Sequence, residues 1–337
     1  MDFKNILVID LSLIGDVLMV TPAVHALKAR YPSARITFMG VPKVLPILKG
    51  NDDVSALLPY DKKGKERGAL GLLRFLAKVR GNQFDAAFIF HRSFGSALIA
   101  RIMRIPVRAG YASEGRGFLL THRYPVPARR NHLIDEHLAL LHAYGIDASS
   151  RALRLEVKDD DVKQFWSSHL SDLPPNLPRV ALVAGAQWVT KQWRVEYTNE
   201  FLNLFDAETV TFILVGGPEE SAYARKLSCA RNQMIDMVGR TTLEELTYLL
   251  AGADLVVTPD SGPMHIAGAL GRRVIALFGP TDPQRCGLVE GDFMNFHANV
   301  NCIKCYKHEC NQIPFCMDEI EPEMVYLAAK KMLEKKP

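Results

Sequence analysis

Short apolar runs, each followed by a longer stretch with helical spacing, recur from one end of the chain to the other. This alternation restricts the fold more than any other feature of the sequence. Asn5-Ile-Leu-Val-Ile-Asp10 has the length and branched content of a buried strand, and residues 16–30 carry apolar side chains at helical spacing with Pro22 near the start. The pair of signals returns as a strand over residues 35–39, a helix over 70–79, a strand over 86–90 and a helix over 96–103. Such alternation implies parallel strands joined by crossover helices.

Asp172-Leu-Pro-Pro-Asn-Leu-Pro178 interrupts the series, because prolines remove backbone donors and bias their neighbours away from helix. A second series then begins, with strands at 179–183, 210–215, 255–258 and 274–278 and helices at 197–204, 221–228, 243–251 and 263–270. A length of 337 residues exceeds what one hydrophobic core organises. The expected fold class is therefore α/β, with two doubly wound Rossmann-like domains facing a cleft and ligands at the carboxyl ends of the strands. The expected domains are residues 1–172 and 178–321, with a C-terminal helix over 322–337 packing back on the first.

With 48% hydrophobic and 23% charged residues the chain has an ordinary globular composition. No run reaches the roughly 18 apolar residues of a spanning helix, and Asp10 and Asp16 break the N-terminal apolar stretch, so a cytoplasmic location is expected. The charge is uneven. Residues 1–170 hold 25 Lys or Arg against 16 acidic residues, whereas residues 171–337 hold 16 against 21. A basic half suits a polyanionic partner, and plain solvation accounts for it equally well. The chain contains no G-x-G-x-x-G, Walker A, zincin or nucleophile-elbow pattern, which argues against a dinucleotide oxidoreductase, a P-loop enzyme and the common hydrolases.

Five strand ends carry residues with chemistry. Ser12-Leu-Ile-Gly15-Asp16 follows the first strand, and Asp16 reads either as a general base or as a helix N-cap. Thr258-Pro-Asp260-Ser261-Gly262-Pro263-Met-His265 is a strand, a small-residue loop and a helix start, whose free N–H groups and dipole suit a diphosphate. His265 is either a phosphate contact or a hydrogen-bonded core histidine. Thr190-Lys191 places an ammonium just past the first strand of the second series, and a solvated lysine is the alternative. Gly216-Gly-Pro-Glu219-Glu220 offers carboxylates for sugar hydroxyls or merely begins a helix, and Phe278-Gly279-Pro-Thr281-Asp-Pro283 has turn chemistry.

Cys302-x2-Cys305-x4-Cys310-x5-Cys316 has a spacing that fits structural zinc, disulfides or free thiols. In the basic half, Lys62-Lys63-Gly-Lys65-Glu-Arg67 precedes an amphipathic segment with Arg74, Lys78 and Arg80, either a surface for anionic lipid headgroups or a solvated helix face. A second basic stretch holds Arg92, Arg101, Arg104, Arg108, Arg116, Arg123, Arg129 and Arg130. Arginine suits bidentate contacts with phosphate and carboxylate. No aromatic-basic interleaving accompanies these, so no nucleic-acid partner is expected.

In this order the motifs resemble the bacterial lipopolysaccharide heptosyltransferases over nearly the whole chain. The likeness rests on residues 5–22, Arg108-Ala-Gly-Tyr111 through Thr121-His122, Thr190-Lys191-Gln-Trp193, residues 215–220, 260–265 and 278–283, and Cys316-Met317. Arg92-Ser-Phe-Gly-Ser-Ala-Leu98 and the cysteine spacing look most like the heptosyltransferase II branch. Ala184-Gly-Ala186 and Arg285-Cys286-Gly287 depart from the family pattern.

The resemblance implies an inverting GT-B glycosyltransferase that needs no metal or other cofactor. It implies ADP-heptose as donor and a lipid A-Kdo-heptose acceptor, hence peripheral association with the inner face of the inner membrane. Carried over by motif, Asp16 is the catalytic base, which displaces the cap reading. Thr190, Lys191, Glu219, Glu220, Asp260, Ser261, Gly262, His265, Gly279 and Thr281 contact the donor, and Ser12, Gly15, Arg92, Arg116 and Arg123 the acceptor. The rival readings are a glycosyltransferase of the same architecture with another nucleotide sugar and, more remotely, a noncatalytic zinc-knuckle module binding nucleic acid.

Overall fold

The structure is a computed structural model that describes residues 2–127, 131–302, 304–311 and 315–335. Arg129 and Arg130 of the basic stretch lie outside the described residues. The chain divides into two compact units, Met1–Glu156 and Val157–Pro337.

The first unit contains β1 (Asn5–Ile9), α1 (Ile14–Arg30), β2 (Arg35–Gly40), β3 (Ala56–Pro59), α2 (Gly68–Val79), β4 (Ala86–Ile89), α3 (Phe94–Ile102), β5 (Val107–Tyr111), β6 (His122–Tyr124) and α4 (Leu133–Tyr144). Its strands form one parallel sheet in the order β3-β2-β1-β4-β5-β6. β1 is central, and Ile6, Leu7, Val8 and Ile9 are wholly buried, as a strand covered on both faces requires. Each such side chain contributes roughly 1.5–3 kcal/mol of hydrophobic stabilisation.

The second unit contains α5 (Asp159–His169), β7 (Arg179–Val183), α6 (Val195–Leu204), β8 (Thr211–Val215), α7 (Ser221–Ala224), β9 (Gln233–Asp236), α8 (Leu243–Ala251) and β10 (Leu255–Pro259). It continues with α9 (Gly262–Ala269), β11 (Arg273–Phe278), α10 (Pro283–Cys286), β12 (Phe293–His297) and α11 (Pro322–Glu334). The sheet, again parallel throughout, runs β12-β11-β10-β7-β8-β9, the strand order of the first unit repeated. In both sheets the order reverses direction beside the first strand, between β1 and β4 and between β7 and β10, and ligands of doubly wound sheets bind outside the carboxyl ends at such a point.

Two boundaries differ from the sequence expectation. The chain divides before α5 and not at the Pro-rich passage, because Phe165 and Trp166 bury against the second unit. The Trp166 indole donates to the Tyr248 carbonyl at 3.0 Å and fills the space over Gly252, where a Cβ would stand 2.2 Å from its Nε1. The C-terminal helix, expected to pack back on the first domain, buries Val325, Ala328, Ala329 and Met332 in the core of the second unit. Among the described residues no helix is long and apolar enough to cross a membrane.

Candidate functional site

In the first unit the reversal point is lined by the loops after β1 and β4. Asp10 ends β1 as a buried carboxylate whose Oδ1 accepts the Ser12 N–H at 2.8 Å, a tight turn that leads into α1. Burial pushes its carboxyl up to about 7; the Ser12 hydrogen bonds oppose the rise and the negative charge of Asp16 adds to it. Leu13, not Asp16, takes the N-cap position of α1. Asp16 lies in the first helical turn, where the dipole favours a carboxylate, and Gly15 precedes it within the helix. Across the reversal point the N–H groups of Phe90 and His91 both donate to the Ile9 carbonyl, and Ser93 caps α3 through the Ser96 N–H.

The arginines separate by role. Arg92 places Nη2 2.6 Å from the buried carboxylate of Glu136 and its guanidinium 5.0 Å from the Tyr111 ring centre, leaving about a third of the side chain (34%) exposed. Arg123 is exposed. Arg116, the third arginine expected at the acceptor, is fully buried and bonds within the unit through Nε and Nη1. Nε donates to the Tyr111 carbonyl, and Nη1 to the carbonyls of His91 and Ser93 and to Ser96 Oγ, at 2.6 to 3.0 Å. Burial lowers its pKa to about 10, still charged at neutral pH, so Arg116 acts as a cationic staple between the loops after β4 and β5.

In the second unit the expected donor residues converge at the ends of adjacent strands. Lys191 closes a 3-10 turn after β7, and its Nζ lies 2.7 Å from Asp260 Oδ2 and 3.2 Å from the Asp260 carbonyl, across the reversal point between β7 and β10. The same ammonium stands 4.4 Å over the Trp188 ring, which also stacks on His308 with centroids 3.8 Å apart. Thr190 is buried and donates to the Lys307 carbonyl at 2.7 Å, so the cysteine loop holds the Lys191 turn in place. Ser261 is the N-cap residue of α9, its hydroxyl 3.0 Å from Thr258 Oγ1, and Gly262 and Pro263 open the helix. His265 is buried within that helix.

The two glutamates after β8 are not equivalent. Glu219 is exposed, whereas Glu220 packs over Gly185, where a Cβ would meet its Cγ at 3.0 Å, and burial raises its pKa. After β11, a Cβ at Gly279 would stand 2.7 Å from Met317 Sδ and 3.0 Å from Cys316 Sγ, so glycine is what lets the Cys316-Met317 pair pack beneath the turn. Thr281 is buried, and Asp282 caps α10 and pairs with Lys304 at 3.0 Å. Among the described residues there is no disulfide and no group of three or more His, Cys, Asp or Glu side chains placed to hold a metal.

Sequence reasoning missed Asp10, Glu136 and the Trp188–His308 stack. Asp10 had a signal, a carboxylate closing an apolar run at a strand end. The other two had none, since each depends on a partner far along the chain.

Residues 72–315 match the family described as glycosyltransferase family 9 (heptosyltransferase). The chain is 29% identical to lipopolysaccharide heptosyltransferase 2 of Salmonella typhimurium over 83% of this chain and 84% of that protein. It superposes on the glycosyl transferase family 9 structure from Veillonella parvula with a TM-score of 0.87 at 23% identity, covering 99% and 98% of the two chains. The E. coli ADP-heptose LPS heptosyltransferase II structure superposes at 0.81 and 23% identity, covering 98% of each. These likenesses show the GT-B fold.

Proposed function

The chain belongs to glycosyltransferase family 9, the heptosyltransferase family, and from that premise we propose that it transfers L-glycero-D-manno-heptose from ADP-heptose to the lipopolysaccharide inner core. The attacking hydroxyl belongs to the first heptose of a lipid A-Kdo-heptose acceptor, and the anomeric centre inverts. The enzyme works in the cytoplasm, held peripherally at the inner face of the inner membrane where such an acceptor is anchored.

One observation carries the donor half of this reading, the Lys191–Asp260 pair beside the N-terminus of α9 at the reversal point of the second sheet. Unpaired backbone N–H groups at a helix start bind phosphate oxygens, and the helix dipole adds to the attraction. An ammonium already held there by Asp260 and the Trp188 face can turn to a diphosphate without being drawn from bulk water. On the acceptor side, Asp16 takes the proton of the attacking hydroxyl as the new bond to the anomeric carbon forms. The bond from that carbon to the diphosphate oxygen breaks, and ADP leaves carrying the electron pair. Lys191 and the α9 N–H groups stabilise the charge that develops on the departing phosphate.

Asp16→Asn should lower turnover by at least roughly 10²-fold, the contribution of a placed general base, with the circular dichroism spectrum unchanged. Near wild-type turnover would remove Asp16 from the chemistry. A thermal-shift comparison of ADP-, UDP- and GDP-sugars tests the donor, because a ligand bound only by the native state raises apparent stability. The largest shift should come from ADP-heptose; a larger one from a UDP- or GDP-sugar would assign the chain to another surface polysaccharide.

A further inference from the structure

α2 and the loop before it present a face that neither the core of the first unit nor the proposed chemistry uses. Gly71, Phe75 and Val79 turn inward and are buried. Leu70, Leu73 and Ala77 point the other way, at the spacing of a second apolar stripe, and the two leucines are 72% and 62% exposed. Arg74 and Lys78 flank that stripe, also exposed, so the outward side of the helix is apolar along its middle and cationic beside it.

The preceding loop sorts its charges in the same sense. Residues 61–80 hold seven Lys or Arg against two acidic residues. Both acids are spent on folding the loop: Asp61 accepts the N–H groups of Gly64 and Lys65 at 2.9 and 3.2 Å, and Glu66 accepts the Asp61 N–H at 2.7 Å. Lys62, Lys63, Lys65 and Arg67 are left exposed. Lys62 reaches toward the start of α3, its Nζ 3.4 Å from where a Gly95 Cβ would stand. Next to it the Phe94 ring lies 6.1 Å from that of Phe118, itself 72% exposed.

We infer that this face, Leu70 and Leu73 with the surrounding lysines and arginines, docks the enzyme on an anionic phospholipid bilayer. A helix of this kind lies in the interfacial plane with its leucines at the boundary between headgroups and acyl chains, while the cations sit at the level of the phosphates. Charge decides against the other occupants. Two copies of so cationic a face repel each other, and a nucleic acid gives the exposed leucines nothing to bury against. The inference rests on the proposed function only in that a lipid-anchored acceptor gives the docking a purpose.

The test is cosedimentation of the full chain with vesicles of phosphatidylglycerol and phosphatidylethanolamine, compared with vesicles of phosphatidylcholine alone. Wild type should partition onto the anionic vesicles and be released by salt. Leu70→Glu with Leu73→Glu, and separately Lys63→Glu with Lys65→Glu, should each weaken partitioning by roughly tenfold or more, the first by removing the apolar insertion and the second by reversing two charges at the level of the phosphates. Both variants should keep the wild-type melting temperature and full transfer to a water-soluble, deacylated acceptor. Equal wild-type binding to the two vesicle types, or wild-type binding by both variants, would overturn the inference. So would lipid-free self-association that the leucine variant abolishes, which would give the face to a second copy. Failure of wild type to transfer heptose to the deacylated acceptor, with vesicle binding intact, would count against the proposed function and leave the docking face standing.

Discussion

Asp10 is held at the end of β1 with its carboxyl pushed up to about 7 by burial, the Asp16 charge adding to the shift. In the unfolded chain the same group titrates near its ordinary value, so between about pH 4 and pH 7 the unfolded state gives up its proton first. Native stability therefore falls as pH rises through that window, and the cost persists above it. An asparagine keeps an oxygen for the Ser12 N–H but carries no charge. Asp10→Asn should raise stability at neutral pH by roughly 2–4 kcal/mol and flatten the melting temperature between pH 4 and pH 8; an unaltered slope would mean that Asp10 ionises normally. Lys191 makes the converse case. Lys191→Met strands the Asp260 carboxylate, 7% exposed, at a cost of about 3 kcal/mol. Adding Asp260→Asn should recover most of that stability while the KM for ADP-heptose stays high, which separates the structural use of the pair from its use in binding. The placing of Lys191 and Asp260 at strand ends was legible, because the alternation of strand and helix signals marks where each strand stops. The burial of Arg116 was not, because it depends on carbonyl groups of the loop after β4 and the end of β5, far from it in sequence.

Among the elements, the central strands were legible and the peripheral ones were not. β1, β4, β7, β8, β10 and β11 are interior strands, each with at least three consecutive buried apolar residues. β6 is His-Arg-Tyr, β9 is Gln-Met-Ile-Asp and β12 is Phe-Met-Asn-Phe-His, edge or near-edge strands too short and mixed to rise above the surrounding loop. α5 opens on three aspartates, and only Phe165 and Trp166 reveal that it packs, which is why the Pro-rich passage after it looked like the boundary. The loop after β7 shows how an element end shapes the site. Gly185 has a φ of +82°, a conformation an alanine adopts at a cost of about 1–2 kcal/mol, and its missing side chain is where Glu220 rests. Gly185→Ala should therefore destabilise the protein by about that amount and weaken nucleotide affinity by displacing Glu220, readable by thermal shift with and without ADP. A loss of stability with unchanged ADP affinity would show that Glu220 does not act on the nucleotide.

At the scale of the molecule, each unit repeats one strand order around a separate core and carries its own reversal point, so the proposed nucleotide site should survive separation from the first unit. A chain of residues 157–337 should fold, unfold in one transition and gain about 2.7 kcal/mol of apparent stability at an ADP concentration of a hundred times its Kd. A chain that begins at residue 173 tests the boundary itself. It lacks α5, and with it the Trp166 indole that fills the space over Gly252 and donates to Tyr248. Loss of a buried aromatic side chain of this kind costs roughly 3–5 kcal/mol, a large part of what holds a domain of this size together. The shorter chain should accordingly melt well below the longer one and expose the apolar side of α8. Equal melting temperatures would move the division back to the prolines and make α5 an appendage rather than part of the second fold.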